Sequence, residues 1–191
     1  MPKGVYCIFR LGSWENVGDF FQIAYSLGER ECHAEVLVND TAFTATSMRE
    51  TVVFKRDMPE ILEYDDIEWV KLPIRDMHKA IDFLDLTRKT HAEFRIPVLD
   101  FLFPKLVVDL VDVDDKDECM HPDVWHQLYC SKFVLFFLRY SHREGNLDVD
   151  DKKMDEIWRV NSNRCSPAML RRLVVKAFGG AEMHMGTHFG I

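Results

Sequence analysis

The sequence predicts an α+β domain in which a small antiparallel sheet packs against helices. Three observations carry this. β-rich runs with turn signals dominate up to Leu72, helical periodicity dominates from Ile74, and the apolar content suffices for one packed core. The chain has 191 residues, 47% of them hydrophobic, with 14 Phe, 4 Trp and 5 Tyr. That supports a single domain, expected over residues 1–178 with a mobile tail at 179–191, and excludes intrinsic disorder.

Val5–Leu11, bounded by Gly4 and Gly12, reads as a buried strand. Ser13-Trp14-Glu15-Asn16 is a helix-start signal, and Phe20, Ile23, Ala24 and Leu27 recur at helical spacing until Gly28. The runs His33–Val38 and Thr41–Thr46 flank Asn39-Asp40 and predict a hairpin. Thr51–Phe54 and Ile67–Leu72 read as two more strands, joined by an acidic connection. From Ile74 to Thr90 the pattern is helical, with Met77, Ala80, Ile81, Leu84 and Leu86 on or near one face. Pro97 and Pro104 break the apolar run Phe94–Val113 into loops with short elements, and Asp109–Glu118 is a solvated acidic loop. Trp125–Tyr140 is the most convincing helix, with Phe133, Phe136 and Phe137 in its core stripe. Lys152–Val160 predicts another. Ser166 as N-cap and Pro167 in the first turn open a last one, with Leu170, Leu173 and Val174 inward.

Charge and cysteine usage narrow the classes of function. With 24 basic and 32 acidic residues the net charge is −8, and no run of Lys and Arg opposes it, so a nucleic-acid partner is not expected. The five cysteines are odd in number and contain no CxxC pair, which argues against a disulfide framework or a cysteine-rich zinc site. Reduced thiols in a cytoplasmic compartment are the expectation. The longest strongly apolar run, Phe133–Leu138, is far below the ~20 residues of a membrane span, and the N-terminal stretch lacks a signal-peptide pattern. His184 and His188 have a helical metal-ligand spacing, yet Gly179, Gly180, Gly186 and Gly190 argue against a helix there. No metal and no cofactor is expected.

Two patterns carry chemistry. Side chains alternate across a strand, so a two-residue turn at Asn39-Asp40 places His33, Glu35, Thr44 and Thr46 on one face and Ala34, Val36, Val38, Phe43 and Ala45 on the other. An imidazole, a carboxylate and hydroxyls therefore back an apolar surface; the plainer reading is a solvent-exposed polar face with an incidental His. The second pattern is Tyr129-Cys130-Ser131 opening the aromatic helix. A thiol at a helix start feels the positive end of the helix dipole, which favours the thiolate, and a nearby His serves as base and then acid. The plainer reading is a small buried thiol in a core helix.

Taken together, His33-x-Glu35 on the first hairpin strand and Tyr129-Cys130-Ser131 about a hundred residues later resemble the circularly permuted papain-fold thiol hydrolases. These permuted relatives of NlpC-type cell-wall peptidases include YiiX-like proteins, lecithin retinol acyltransferase-like enzymes and proteins of large DNA viruses. The order, His before Cys, is that of the permuted group. The Val5–Arg10 strand, the Glu68-Trp69 strand and the segment Asn163-Arg164-Cys165-Ser166-Pro167-Ala168-Met169-Leu170 also fit, and the last is similar to a helix start of the viral members.

The resemblance implies a permuted papain-like fold, Cys130 as nucleophile and His33 as base. The third position, which orients the imidazole, falls at Thr44, where other members have an acid, His or Gln; Glu35 lies across from it and is the alternative for orienting His33 or binding substrate. Tyr129 is a candidate for the oxyanion site beside the Cys130 N–H, with a packed Tyr as the alternative. Gln127 is a candidate there too, although it stands only three residues before Cys130. The implied activity is cysteine-dependent hydrolysis or acyl transfer on a peptide, amide or lipid-ester substrate, in host cytoplasm or a virion if the chain is viral. The rival is a catalytically inactive member acting as a structural or interaction protein through stretches such as Val98–Val108; the lack of an acid at Thr44 favours it. Contact with a membrane lipid surface is a third, weaker reading, opposed by the acidic balance.

Overall fold

The computed structural model describes residues 3–12, 30–45, 53–57, 66–90, 92–94 and 117–184. Six strands form one antiparallel sheet: β1 (Val5–Leu11), β2 (Glu31–Val38), β3 (Thr41–Ala45), β4 (Val53–Asp57), β5 (Asp66–Leu72) and β8 (Glu182–His184), in the order β4-β3-β2-β1-β5-β8. Four α-helices are described: α1 (Met77–Thr87), α2 (Cys130–Arg143), α3 (Asp151–Arg159) and α4 (Pro167–Phe178). A two-residue strand β6 (Glu93–Phe94) runs parallel to β7 (Gln127–Leu128). The α+β expectation holds. The predicted helix around Phe20–Leu27 and the stretch Val98–Val108 lie outside the described residues.

The hairpin follows its sequence signal. Asn39 adopts φ 53°, the left-handed conformation that Asn tolerates, and the register pairs Val38 with Thr41 and Val36 with Phe43. One face of the sheet supplies Val5, Cys7, Phe9, Ala34, Val36, Phe43 and Val70 to a core shared with α2 and α4. The opposite face buries Tyr6, Ile8, Leu37, Ala42 and Ile67 as a second cluster, so the sheet is covered on both sides.

Helix α2 starts five residues later than the periodicity suggests. Trp125 is extended and donates its indole N–H to Glu118 O at 2.8 Å, and Gln127–Leu128 is used as β7, so the chain enters the helix only at Tyr129. Helix α4 begins as read, with Ser166 Oγ accepting from the Met169 N–H and Pro167 in the first turn. Gly179 then leaves the helix at φ 94°. Where the sequence suggested a mobile tail, Glu182–His184 is tied to β5, and Trp69 Nε1 donates to Glu182 Oε2 at 3.2 Å. His184 thus sits in a strand; residues 185–191 lie outside the described part.

An ion pair fastens α4 to the sheet. Arg171 donates to both oxygens of Glu68, at 2.8 and 2.6 Å, and its Nε is 3.3 Å from Glu31 Oε1. Glu68 is buried, so removing the guanidinium strands a desolvated carboxylate. Arg171→Met is expected to cost about 2 kcal/mol, less than the 3–5 of a fully buried pair because Arg171 is part-exposed. In the background of Glu68→Gln the same substitution should cost less than half as much by denaturant unfolding; equal costs would show that the pair is not what stabilises α4.

Candidate active site

The hairpin brings its polar residues together. Thr44 Oγ1 lies 2.7 Å from His33 Nε2, and Glu35 Oε1 lies 3.4 Å from the same nitrogen. Thr44 Oγ1 also donates to Ala34 O at 3.4 Å, which makes it the acceptor for an Nε2–H and leaves Nδ1 as the basic nitrogen of that tautomer. Glu35 and Thr44 are 2% and 1% exposed, while the His33 side chain keeps 20% exposure. The face is therefore a buried cluster rather than a solvated surface, and two of its members hold one imidazole nitrogen.

Cys130 is the first residue of α2, which packs across β2 and β3. The N-cap, Tyr129, has no side-chain capping bond, so first-turn N–H groups are open to another acceptor. The backbone N–H groups of Ala34, Ser131 and Cys130 itself favour the ionised form of the thiol. Burial opposes them and wins, and the Glu35 carboxylate adds to it, so the Cys130 pKa is pushed up to about 11. The thiolate expected from the helix dipole alone is thus not the resting state; at neutral pH the sulfur carries its proton.

The turn before α4 holds the start of α2 at three points. Tyr129 OH donates to Ser162 O, Ser131 Oγ donates to Cys165 O, and Lys132 Nζ lies 3.2 Å from Asn163 Oδ1. Lys132 is 3% exposed; its ammonium also meets Glu118 Oε2 at 3.4 Å and stands 5.1 Å from the Phe136 ring centroid. The signal for this was present, since Lys132 is a charge inside the run Cys130–Leu138 that otherwise reads as core.

The other two sequence candidates, Tyr129 and Gln127, fall elsewhere, as do the further histidines and cysteines of the described residues. The Tyr129 hydroxyl is engaged by Ser162 and the ring is buried, which is the packed alternative. Gln127 is exposed on β7. His121 and His126 are exposed. Cys32 points away from His33 and its Sγ lies 3.5 Å from Arg10 O. Cys165 is raised to about 12 and Cys7 further still, both by burial; all five cysteines are free. Among the described residues no group of three or more His, Cys, Asp or Glu is placed to hold a metal, and no helix is long and apolar enough to cross a membrane.

The architecture and site define an α+β domain with a buried thiol at a helix start and a strand-borne histidine held by a carboxylate and a hydroxyl. No family model, no curated protein and no solved structure matches the chain.

Proposed function

We propose that this chain is a cysteine-dependent hydrolase of permuted papain-like fold, with Cys130 as nucleophile and His33 as the proton shuttle. The observation that carries it is local: Cys130 opens the helix that packs across β2 and β3, and on those strands Thr44 and Glu35 hold His33 Nε2. The order of elements, a His-bearing hairpin strand before a Cys-opened helix packed on the same sheet, supports the fold.

Because the resting thiol is protonated, His33 acts during the attack. Its Nδ1 takes the thiol proton as sulfur bonds to an amide or ester carbonyl carbon, and the Cys130 N–H stabilises the oxyanion. Collapse breaks the bond to the amine or alcohol, which leaves with the proton from the imidazolium. Water, deprotonated by His33, then hydrolyses the acyl-enzyme. Thr44 and Glu35 keep the ring in the tautomer this requires. The reading covers peptide, amide and lipid-ester substrates, and a reducing compartment keeps the nucleophile available.

A thiol-reactive electrophilic probe tests the assignment. Labelling should concentrate at Cys130, vanish in Cys130→Ala, and fall by about 10²-fold in His33→Ala, the scale of general-base assistance. The second reading, an inactive member of the same fold used as an interaction protein, is favoured by the burial that keeps the thiol protonated. Slow, equal labelling of several cysteines in all three proteins would establish that reading instead.

A further inference from the structure

Strand register sets a further charged residue beside His33. The β1–β2 ladder pairs Arg10 with His33 and Ile8 with Glu35, and residues directly opposite in an antiparallel pair share a face, with Cβ atoms about 5 Å apart. Along that face β1 presents Tyr6, Ile8 and Arg10, and β2 presents Leu37, Glu35 and His33. Burial falls off in the same direction on both strands. Tyr6, Ile8, Leu37 and Glu35 are buried, whereas Arg10 and His33 are half-buried, so the face opens to solvent where guanidinium and imidazole stand side by side. The regular register also ends there, because a shift between Arg10 and Leu11 leaves Cys32 as an extra residue on β2. Bulges of this kind bend a strand, raise its twist and recur next to active sites. Two groups that can both be cations, set directly opposite, are no gain for the sheet itself. Glu35 supplies a carboxylate, but it holds Nε2 and is 2% exposed. A ligand arriving from solvent therefore meets the Arg10 cation before it meets the Glu35 anion.

We propose that Arg10 is a specificity-determining residue of the site, binding a carboxylate that the acyl substrate carries next to its scissile carbonyl. The inference deepens the hydrolase reading and rests on it. With the carbonyl between Cys130 and His33, the substituent beside it comes within reach of the side chain opposite His33. A guanidinium donates two parallel N–H bonds to one carboxylate, a match that an ammonium cannot reproduce. Its five N–H donors let it hold a neighbour in the protein and a ligand at once. One guanidinium near one buried carboxylate fits a singly charged group better than a phosphate dianion. Half-burial strengthens the contact, since a charge-assisted hydrogen bond gains as bulk water is removed. The chain as a whole carries a charge of −8, so attraction of an anion is a property of this spot and not of the overall field.

Two alkylating probes of nearly equal size, iodoacetate and iodoacetamide, test this in the full chain at neutral pH. Both lose iodide to the attacking sulfur, and they differ by one negative charge on the carbon beside the one attacked. The readout is the ratio of their labelling rates at Cys130, followed by mass spectrometry. In Arg10→Gln the ratio of iodoacetate to iodoacetamide is expected to fall about tenfold, the lower end of what a hydrogen bond to a charged group contributes. Arg10→Lys should recover part of the loss, because the charge returns without the planar fork. A general change in thiol reactivity or in folding cancels in the ratio, so a purely structural role of Arg10 leaves it as in the wild type. An unchanged ratio in Arg10→Gln overturns the proposal. So does a lysine variant with the ratio of the glutamine variant, since charge would then not be what the site reads. In both cases iodoacetamide labelling of Cys130 that still depends on His33 leaves the hydrolase reading intact. If iodoacetamide shows no preference for Cys130 in the wild type, the hydrolase reading fails and this inference falls with it.

Discussion

Arg139→Met is expected to lower the unfolding free energy by about 4 kcal/mol, the scale of breaking a buried charged hydrogen-bond network. Arg139 is 0% exposed in the middle of α2, where a helix stripe calls for an apolar residue. Its guanidinium donates to Ile157 O at 3.1 and 3.3 Å, to Trp158 O at 3.3 Å and to Val160 O. These are the last carbonyls of α3, which a helix cannot satisfy internally. The positive charge also lies where the helix dipole is negative, and the group stacks on Trp158 with 5.5 Å to the ring centroid. Methionine keeps the volume but strands three carbonyls in the core. Urea unfolding of the two proteins measures the loss; a difference below about 1 kcal/mol, the net worth of one ordinary hydrogen bond, would refute the capping role. Lysine in the same place should recover only part, because an ammonium lacks the planar fork.

Alkaline solution should destabilise the fold through the buried thiols. Cys130 is raised to about 11, Cys165 to about 12 and Cys7 further, in each case by burial first. Below the usual thiol value near 9 the folded and unfolded chains both hold these protons, and the groups add no pH dependence. Above it the unfolded chain releases protons that the folded chain keeps. The unfolded state then binds fewer protons, so the slope of stability against pH is negative, about 1.4 kcal/mol per pH unit for each thiol. The fall continues until each folded pKa is reached, near 11 for Cys130. Denaturant unfolding between pH 8 and 10 reads it out. The double variant Cys7→Ala with Cys165→Ala should lose about two thirds of the thiol contribution; an equal slope in both proteins would show that other groups, such as Tyr6 and Tyr140 with their raised values, carry the effect.

Much of the site was legible because it depends on short-range rules. Asn39-Asp40 fixes the hairpin register, and a period of two then puts His33, Glu35 and Thr44 on one face without reference to the rest of the chain. Ser166-Pro167 marks the start of α4 for the same reason, since a cap and a proline act within one turn. Other features escaped. The onset of α2 moved from Trp125 to Cys130 because β6, distant in sequence, pairs with Gln127–Leu128. Lys132 and Arg139 interrupt the apolar helix because their partners, Asn163, Glu118 and the end of α3, arrive from other segments. The polar face reads as solvated until the cluster of Tyr6, Ile8 and Leu37 on the same face of the sheet places it in the interior.

By itself, then, the sequence determined an α+β chain, a hairpin with a histidine, a carboxylate and a threonine on one side, and a cysteine near a helix start. Tertiary structure decided the rest, and the thiol shows why. The helix dipole and the N–H groups of Ser131 and Cys130 favour its ionised form and act over a few ångströms set by local geometry, so they can be read from neighbours in the chain. Burial is set by everything that packs around the sulfur, and here it outweighs them, giving a protonated thiol at the start of α2. The residue types were written locally. The state in which they meet depended on contacts between segments far apart in the chain.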